Sequence, residues 1–351
     1  MDNLLEIDGS TGEGGGQILR TSLCLSLMNN QPIRLFNIRA NRKPKPGLQA
    51  QHLQCVKAAQ RIGCAHVVGA ELGSQEIVFT PGVVQSGDFH FRIGTAGSVA
   101  LVLHTIYLPL CLKADGPSTI TIEGGTHVRA APTFPFLEKT WQGHLQSMGL
   151  KIVTNLLQTG FYPRGGGKIA VQIDPVAEIH PRNSHQVPKI EAITIDSVVA
   201  GLESHIQERM LRKARQLLRG EELHIHEELT KISGGPGAYL AIVTETSPPI
   251  AFVGLGELRK SAEQVGADAV KELLHFRQSH QQIDPHSADQ IMLPLCFATG
   301  PSKFTVSEIT QHLLTQAWTI QQFKVATILI EGELGGIGKV TIEPVNAPSV
   351  G

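Results

Sequence analysis

One order of secondary-structure elements recurs along the chain and limits the folds that it can adopt. Residues 3–80 are expected to run strand, helix, strand, helix, strand, strand. Residues 88–174 repeat that order, and a shorter copy starts near Ala288. Copies of one supersecondary unit pack around a shared core, and long helices between β-branched strands cover one face of each sheet. The sequence therefore predicts an α+β fold, an α/β sandwich, with three βαβαββ-type repeats.

The repeat is interrupted between its second and third copies. The stretch PRNSHQ is typical of a linker, and a strongly charged helix, three strands and a further helix follow it. We therefore predict a large domain formed by residues 1–184 (repeats 1 and 2) and 277–345 (repeat 3). A smaller α/β domain, residues 185–276, is inserted between them.

Charge and cysteine content exclude several classes of protein. The net charge is −1, so no basic surface covers the molecule and any polyanion site must be local. The five cysteines form no CxxC pair, which is typical of a reducing compartment. The N-terminus lacks a signal-peptide pattern, and no apolar run reaches the ~20 residues of a membrane span. We expect a cytoplasmic protein that does not bind membranes.

A glycine-rich loop, Gly12-Glu13-Gly14-Gly15-Gly16-Gln17, separates the first strand from the first helix. Two interpretations fit such a loop. Its backbone N–H groups and the helix dipole can bind an anion. A tight turn with positive φ angles would need the same glycines without binding anything. The loop matches no standard nucleotide-binding motif. Glu13 would repel an anion, whereas Arg20, one turn into the helix, should point back toward the loop.

The densest basic stretch of the chain follows this first unit. It holds Arg39, Arg42, Lys43 and Lys45, with Gln51 and His52 on the next helix. A solvated loop is the ordinary interpretation, but the position of the stretch favours contact with a phosphate or an RNA end, because arginine binds phosphate with two hydrogen bonds. Further glycine clusters at 94–98, 123–126, 161–168 and 233–237 suggest loops that converge on one cleft.

The histidines have ordinary interpretations when taken singly. His224 and His226 alternate along a strand and favour an exposed face over a metal pair. His286 opens a helix start at which Ser287 or Asp289 could cap the N-terminal amides. His312, among apolar neighbours on a helix, is more often a core residue than a nucleophile.

Taken together, these stretches resemble the RNA 3′-terminal phosphate cyclase family over nearly the whole chain. The matching pieces are DGSTGEGGGQILRTSLCLS, IRANRKPKPGLQAQHL, AELGSQEIVFTPG, GTAGSVALVLHT, DGPSTITIEGGT, GFYPRGGGK, ADQIMLPL and FTVSEITQHLLT. The resemblance implies three related βαβαββ units with an inserted smaller domain. It also implies a ligase-type enzyme that uses ATP to convert an RNA 3′-phosphate end into a 2′,3′-cyclic phosphodiester.

The resemblance implies three chemical steps. A histidine, here His312, attacks the ATP α-phosphate and forms a covalent histidyl-AMP intermediate. AMP then passes to the RNA 3′-phosphate to give RNA-(3′)pp(5′)A, and the neighbouring 2′-OH closes the ring and expels AMP. Adenylylation supplies the leaving group that a phosphomonoester lacks, and the 2′-OH is already positioned for attack.

The resemblance also assigns roles to matching residues. Glu13 corresponds to the ligand of Mg²⁺ or Mn²⁺. Contacts to ATP are implied for Gln17, Arg20, His104, Pro132, His286, Ser287, Ala288, Asp289 and Gln290. Contacts to the phosphate of the RNA end are implied for Arg39, Arg42 and Gln51.

Three departures from the family pattern stand beside these matches. His104 replaces the usual glutamine of the motif VLQT, and His286 replaces an aromatic residue. Both changes predict altered ATP affinity and not its loss. The basic loop is one residue longer than usual, which leaves the register from Lys43 to Lys45 open.

Two other functions compete with the cyclase interpretation. Nucleolar relatives of the family bind pre-ribosomal RNA in ribosome biogenesis without catalysis, but they lack the histidine and the arginine cluster, which this chain keeps at His312, Arg20, Arg39 and Arg42. Enolpyruvyl transferases share a similar repeat architecture. The HLLT and GEGGGQILR pieces argue against them.

Overall fold

The first sheet forms from the N-terminal residues of the computed structural model, which describes residues 4–42, 44–183 and 186–345. Its strands pair in the order β1-β2-β4-β3, and only β1 and β2 are parallel. The elements are β1 (Leu5–Asp8), α1 (Gln17–Asn29), β2 (Ile33–Phe36), α2 (Ala50–Ile62), β3 (His66–Val68) and β4 (Ile77–Thr80).

The second sheet has the same pairing pattern in the order β5-β6-β8-β7, again with only its first pair parallel. A π-helical turn, Phe136–Trp141, leads directly into α4. The elements are β5 (Asp88–Arg92), α3 (Val99–Leu112), β6 (Ser118–Gly124), α4 (Gln142–Ser147), β7 (Lys151–Gln158) and β8 (Gly167–Asp174).

A third sheet follows the predicted linker, with strand order β10-β9-β11-β12. Helices α5 and α6 cover one face and share a separate apolar core with the strands. The elements are β9 (Ala192–Ala200), α5 (His205–Leu217), β10 (His224–Ile232), β11 (Gly237–Thr244), β12 (Ala251–Leu255) and α6 (Ala262–Ser279).

The C-terminal part forms an antiparallel three-stranded sheet in the order β13-β15-β14. Its elements are α7 (Ala288–Leu295), β13 (Ser302–Val306), α8 (Gln311–Gln322), β14 (Ala326–Gly332) and β15 (Gly338–Pro344). The α+β class predicted from the sequence is confirmed. The domain limits stay a prediction, and Ser184 and His185 at one of them lie outside the described residues.

Helices meet at the centre of the molecule. Helix α1 packs against α2, α3 and α8, and α7 packs against α8. Almost every side chain of α1 and α3 is buried, because neighbouring helices surround them. One apolar cluster therefore joins the first, second and C-terminal sheets, and it holds the N-termini of α1, α7 and α8 in fixed positions. Within the described residues, no helix has the length and apolar character needed to cross a membrane.

The third sheet attaches to the second through polar and aromatic contacts. The His127 ring stacks between Phe161 and Tyr239, with centroid distances of 4.9 and 4.7 Å. Thr140 Oγ1 accepts a hydrogen bond from the Ala251 N–H at 2.7 Å. These contacts fix the π-helical turn and the loop after Gly124 against the third sheet.

Candidate functional site

The glycine loop between β1 and α1 allows side chains to approach its backbone closely. Gly12 and Gly14 have φ angles of 59° and 56°, which favour glycine. A Cβ atom on Gly14 would lie 2.2 Å from Asn41 Nδ2, and one on Gly16 would lie 2.5 Å from His52 Nε2. The tight turn is confirmed. Gly16 is the N-cap of α1 and has no side chain that could accept hydrogen bonds from the first N–H groups of the helix. Those N–H groups can therefore bind an anion.

Glu13 contacts a cation and a histidine at once. Its Oε1 accepts a hydrogen bond from Arg42 Nη2 at 2.9 Å, and its Oε2 lies 3.0 Å from His312 Nδ1. Its side chain is 20% exposed. The hydrogen bond with His312 is the largest effect that lowers the pKa of Glu13, and Arg42 adds to it. The carboxylate is therefore ionised at neutral pH.

His312 lies in the first turn of α8, where Thr310 Oγ1 accepts a hydrogen bond from the Leu313 N–H. Its Nδ1 lies 3.0 Å from Glu13 Oε2 and 3.1 Å from Gln17 Oε1. Both neighbours are acceptors, so Nδ1 carries the hydrogen and the neutral ring has its lone pair on Nε2. The Glu13 hydrogen bond raises the pKa of His312 more than burial lowers it.

Gln17 connects this histidine to α7. Its Nε2 donates to Asp289 Oδ2 at 2.8 Å, which turns its Oε1 toward His312 Nδ1. Burial raises the pKa of Asp289 to about 6, so at neutral pH this carboxyl is mostly an acceptor. The chain Asp289–Gln17–His312 therefore sets the orientation of both the amide and the imidazole.

The basic loop closes over the glycine loop. Arg42 reaches Glu13, and Asn41 Nδ2 donates to the Ser10 carbonyl at 3.0 Å. Arg39 Nη1 donates to the carbonyls of Lys45 and Gly47 at 2.9 and 2.8 Å. Lys43 lies outside the described residues. Arg39 thus organises its own loop, and its contact with a substrate phosphate, like that of Arg42, stays a prediction.

A small cavity beside the glycine loop combines polar and aromatic walls. Arg20 lies there as the sequence predicts, with its Nη1 near Gly16. Burial lowers the pKa of the guanidinium, which Asp289 and Glu13 partly offset. The cavity is lined by Gln17, Arg20, Thr21, His104, Tyr107, Trp141, Asp289, Gln290, Leu293 and Gln316.

His104 forms the aromatic wall of this cavity together with Trp141. The two rings stack with centroids 4.9 Å apart and an interplanar angle of 27°. Burial lowers the pKa of His104 to about 3, so the ring is neutral at physiological pH. Its Nε2 is buried and has no hydrogen-bond partner among the described residues. A ligand group could fill that position.

The other residues assigned to ATP lie around the start of α7. Ser287 and Ala288 are fully buried, and Gln290 Nε2 donates to the His286 carbonyl at 2.8 Å. Ser287 is the N-cap residue of α7, but the expected hydrogen bond from a helix amide to its side chain is not formed. Asp284 Oδ1 accepts hydrogen bonds from the N–H groups of His286 and Ser287 and so closes the turn that precedes the helix. Pro132 lies half-buried between β6 and the π-helical turn.

Gln51 joins α2 to a second group of glycine loops. Its Oε1 accepts the Ser98 N–H at 2.6 Å, and Gly125 N–H donates to the Gly97 carbonyl at 2.7 Å. A Cβ atom on Gly165 would lie 2.8 Å from Ala96 Cα. The clusters at 94–98, 123–126 and 161–168 therefore meet, and the cluster at 233–237 joins them because Gly237 lies against the Phe161 ring. The first glycine loop packs instead on α8.

Metal-ligating side chains are sparse. No group of three or more His, Cys, Asp or Glu side chains within the described residues could hold a metal ion. His224 and His226 are exposed on the edge strand β10, as predicted. Glu13 alone can still fit Mg²⁺, because Mg²⁺ is commonly held by one or two carboxylates together with substrate phosphates.

The sequence prediction missed four neighbours of the site. Trp141 and Tyr107 line the cavity, and Thr315 Oγ1 accepts the Glu13 N–H at 3.4 Å. Gln316 Oε1 accepts the Thr21 hydroxyl at 2.7 Å. Thr315 and Gln316 follow His312 by three and four residues, so helical spacing was the one signal that placed them on the same side of α8.

The site therefore combines a histidine held by a carboxylate and an amide with a glycine loop at the start of a helix. Comparison with known proteins then identifies the family. The family model for RNA 3′-terminal phosphate cyclase matches residues 11–330, and the chain belongs to this family.

Two relatives illustrate the similarity. The chain is 41% identical over 336 residues to the RNA 3′-terminal phosphate cyclase of Nostoc punctiforme, covering 93% of this chain and 96% of the relative. It is 37% identical over 352 residues to the protein of the same name from Methanopyrus kandleri, covering 97% of this chain and 99% of the relative.

Proposed function

We propose that the protein is an ATP-dependent RNA 3′-terminal phosphate cyclase that works through a histidyl-AMP intermediate. The observation that carries the proposal is the position of His312, with Nδ1 directed at Glu13 and Gln17 and with no hydrogen-bond partner for Nε2 among the described residues. Family membership and the names of the relatives support the same activity.

In the first step, His312 Nε2 attacks the α-phosphate of ATP. A P–N bond forms, the α–β phosphoanhydride bond breaks, and pyrophosphate leaves. Glu13 and Gln17 accept the hydrogen bond from Nδ1 and stabilise the positive charge that develops on the ring. Arg20 and the N-terminus of α1 lie where phosphate charge would accumulate.

In the later steps, an oxygen of the RNA 3′-phosphate attacks the phosphorus of His312-AMP, and the P–N bond breaks. The ribose 2′-OH then attacks the RNA 3′-phosphate, loses its proton, and expels AMP as the cyclic phosphodiester closes. Arg39 and Arg42 are the residues proposed to hold the RNA phosphate, with Gln51 beside them.

Glu13 is the residue proposed to hold Mg²⁺ or Mn²⁺. A bound divalent ion would neutralise phosphate charge beside the carboxylate. The observation that supports this fit is the partly exposed, ionised side chain of Glu13 at the mouth of the glycine loop.

Labelling with radioactive ATP and Mg²⁺ tests the proposal. We expect a covalent adenylate that is labile in acid and stable in base, present in the wild type and absent from His312→Ala. His66→Ala, which changes an exposed histidine on β3, is the matched control and should label like the wild type. An unlabelled wild type, or equal labelling of His312→Ala, would overturn the mechanism and favour the RNA-binding relative without catalysis.

A further inference from the structure

The glycine cluster at 161–168 forms a firmly anchored turn that the proposed chemistry leaves unused. Phe161 is 4% exposed, and its ring stacks on His127. The Gly165 N–H donates to the Phe161 carbonyl at 2.7 Å, which closes the turn 161–165. Gly165 also packs against Ala96. Both ends of the turn are therefore fixed to the body of the protein.

Two side chains project from this turn into solvent. Tyr162 is 76% exposed, and Arg164 is exposed without a hydrogen bond or ion pair to any described residue. Because the backbone is already ordered, an aromatic face and a planar cation are presented without a further cost for ordering the backbone. These are the two groups that single-stranded nucleic acid binds best, one through its bases and the other through its phosphates.

The surroundings of the turn carry several cations. Strands β5, β6 and β8 place two cations on one carboxylate, since Arg92 and Lys168 lie 2.7 and 3.4 Å from Glu123. Arg129 is 81% exposed and lies 3.7 Å from Glu257. With Arg164, these pairs contain four cations and two carboxylates, and Asp196 and Glu138 lie near Tyr239 behind the His127 ring.

A continuous set of contacts joins the turn to the candidate site. His52 on α2 lies against Gly16 of the glycine loop. One residue earlier, Gln51 accepts a backbone N–H of the loop 94–98, and that loop packs on the turn 161–165. Helix α2 and the loop 94–98 thus connect the glycine loop to the turn 161–165.

We propose that the turn 161–165 binds the RNA strand upstream of its 3′-phosphate, with the Tyr162 ring stacked on a base and Arg164 on a backbone phosphate. This inference rests on the proposed function. A single exposed ring requires an unstacked base, so the strand is single-stranded here, and stacking makes the contact tolerant of sequence.

Equilibrium binding in the absence of ATP tests the inference apart from catalysis. The probe is a fluorescein-labelled single-stranded RNA of about ten nucleotides with a 3′-phosphate, followed by anisotropy. We expect Tyr162→Ala to raise the Kd at least about fivefold and Tyr162→Phe to keep nearly all the affinity. Arg164→Gln should lower the slope of log Kd against log salt by about 0.7, the value for one phosphate contact.

Matched controls separate this surface from the rest of the protein. Leu72→Ala removes another exposed apolar side chain, 68% exposed, and Arg219→Gln removes an exposed arginine beyond α5. Both should bind like the wild type, and melting temperatures should show that all variants are folded. Any one of three results would overturn the inference. Tyr162→Ala could bind RNA with the Kd of the wild type, Arg164→Gln could leave the salt slope unchanged, or Tyr162→Phe could bind as weakly as Tyr162→Ala. RNA binding that depends on Tyr162, without any adenylate on His312, would instead overturn only the proposed function.

Discussion

At the scale of single residues, the site depends on the N–H group at Nδ1 of His312, which two acceptors share. His312 Nδ1 lies within hydrogen-bond distance of both Glu13 and Gln17, so one acceptor can leave while the other remains. A divalent ion on Glu13 would compete with the histidine for that carboxylate. Gln17 would still hold the imidazole in place.

Glu13 should therefore have a role that depends on the metal concentration. We expect Glu13→Ala to reduce the rate of His312 adenylylation by about tenfold or more at limiting Mg²⁺, with partial recovery at high Mg²⁺. Single-turnover labelling over a Mg²⁺ series measures this. Glu6→Ala, an exposed carboxylate on β1, is the control. If the adenylylation rate falls equally at every Mg²⁺ concentration, Glu13 acts only on His312. If Glu13→Ala keeps full activity at limiting Mg²⁺, Glu13 does not bind the metal and the glycine loop serves only as a tight turn.

Gln17 should act on the orientation of the nucleophile. Gln17→Ala removes one of the two acceptors for His312 Nδ1 and the Gln17 hydrogen bond to Asp289. The loss of one hydrogen bond to a developing charge, about 1.5 kcal/mol, corresponds to roughly a tenfold lower rate of adenylylation. Separate measurements of the KM for ATP and of the rate constant for adenylylation check this prediction. A change confined to the KM would mean that Gln17 only binds ATP and does not orient His312.

At the scale of elements, the π-helical turn Phe136–Trp141 links the cavity to the third sheet. Trp141 contributes to the aromatic wall, while Thr140, one residue earlier, accepts the Ala251 N–H. The wider turn of a π-helix changes the direction of consecutive side chains, and such turns are frequent at functional sites. The sequence predicted a helix here but gave no signal of its π-helical start, because apolar spacing does not distinguish the two helix types over six residues.

Thr140 should stabilise the attachment of the third sheet. Thr140 is fully buried, and Thr140→Val keeps its shape while leaving the buried Ala251 N–H without its acceptor. We expect the free energy of unfolding to fall by about 1–3 kcal/mol. Urea unfolding measures the change, with the exposed Thr119→Val on β6 as the control. Equal stability of the two variants would show that this hydrogen bond contributes nothing to the attachment.

At the scale of the whole molecule, the sequence predicted the α+β class and brought together residues far apart along the chain. Glu13, Arg42 and His312 do meet, and the family resemblance selected them, since His312 taken alone favoured a core residue. The hydrogen-bond partners of the individual side-chain atoms in the site could not be predicted from the sequence. That Gln17 bridges Asp289 and His312 depends on how the ends of α1, α7 and α8 meet, which local patterns do not encode.

The same packing creates a dependence of stability on pH that no motif revealed. Burial lowers the pKa of His52, His104, His127 and His144 to about 3. In the unfolded chain these histidines would titrate near 6.5. Between the two values the unfolded state binds more protons, so the free energy of unfolding falls as the pH drops below about 6.5. Asp289, whose pKa burial raises to about 6, opposes part of this loss below pH 6, whereas the raised pKa values of His286 and His312 add stability that is lost only as the pH rises above about 6.5.

His144 offers the sharpest test of this effect. It is 2% exposed, and neither ring nitrogen has a partner among the described residues. At pH 5.5, one such histidine lowers the free energy of unfolding by about 1 kcal/mol relative to pH 7. His144→Gln cannot be protonated, so the difference in unfolding free energy between pH 7 and pH 5.5 should shrink by that amount, whatever the substitution costs at pH 7. The exposed His66→Gln should leave the difference unchanged, and an equal difference in His144→Gln and the wild type would mean that His144 is solvated enough to titrate normally in the folded protein.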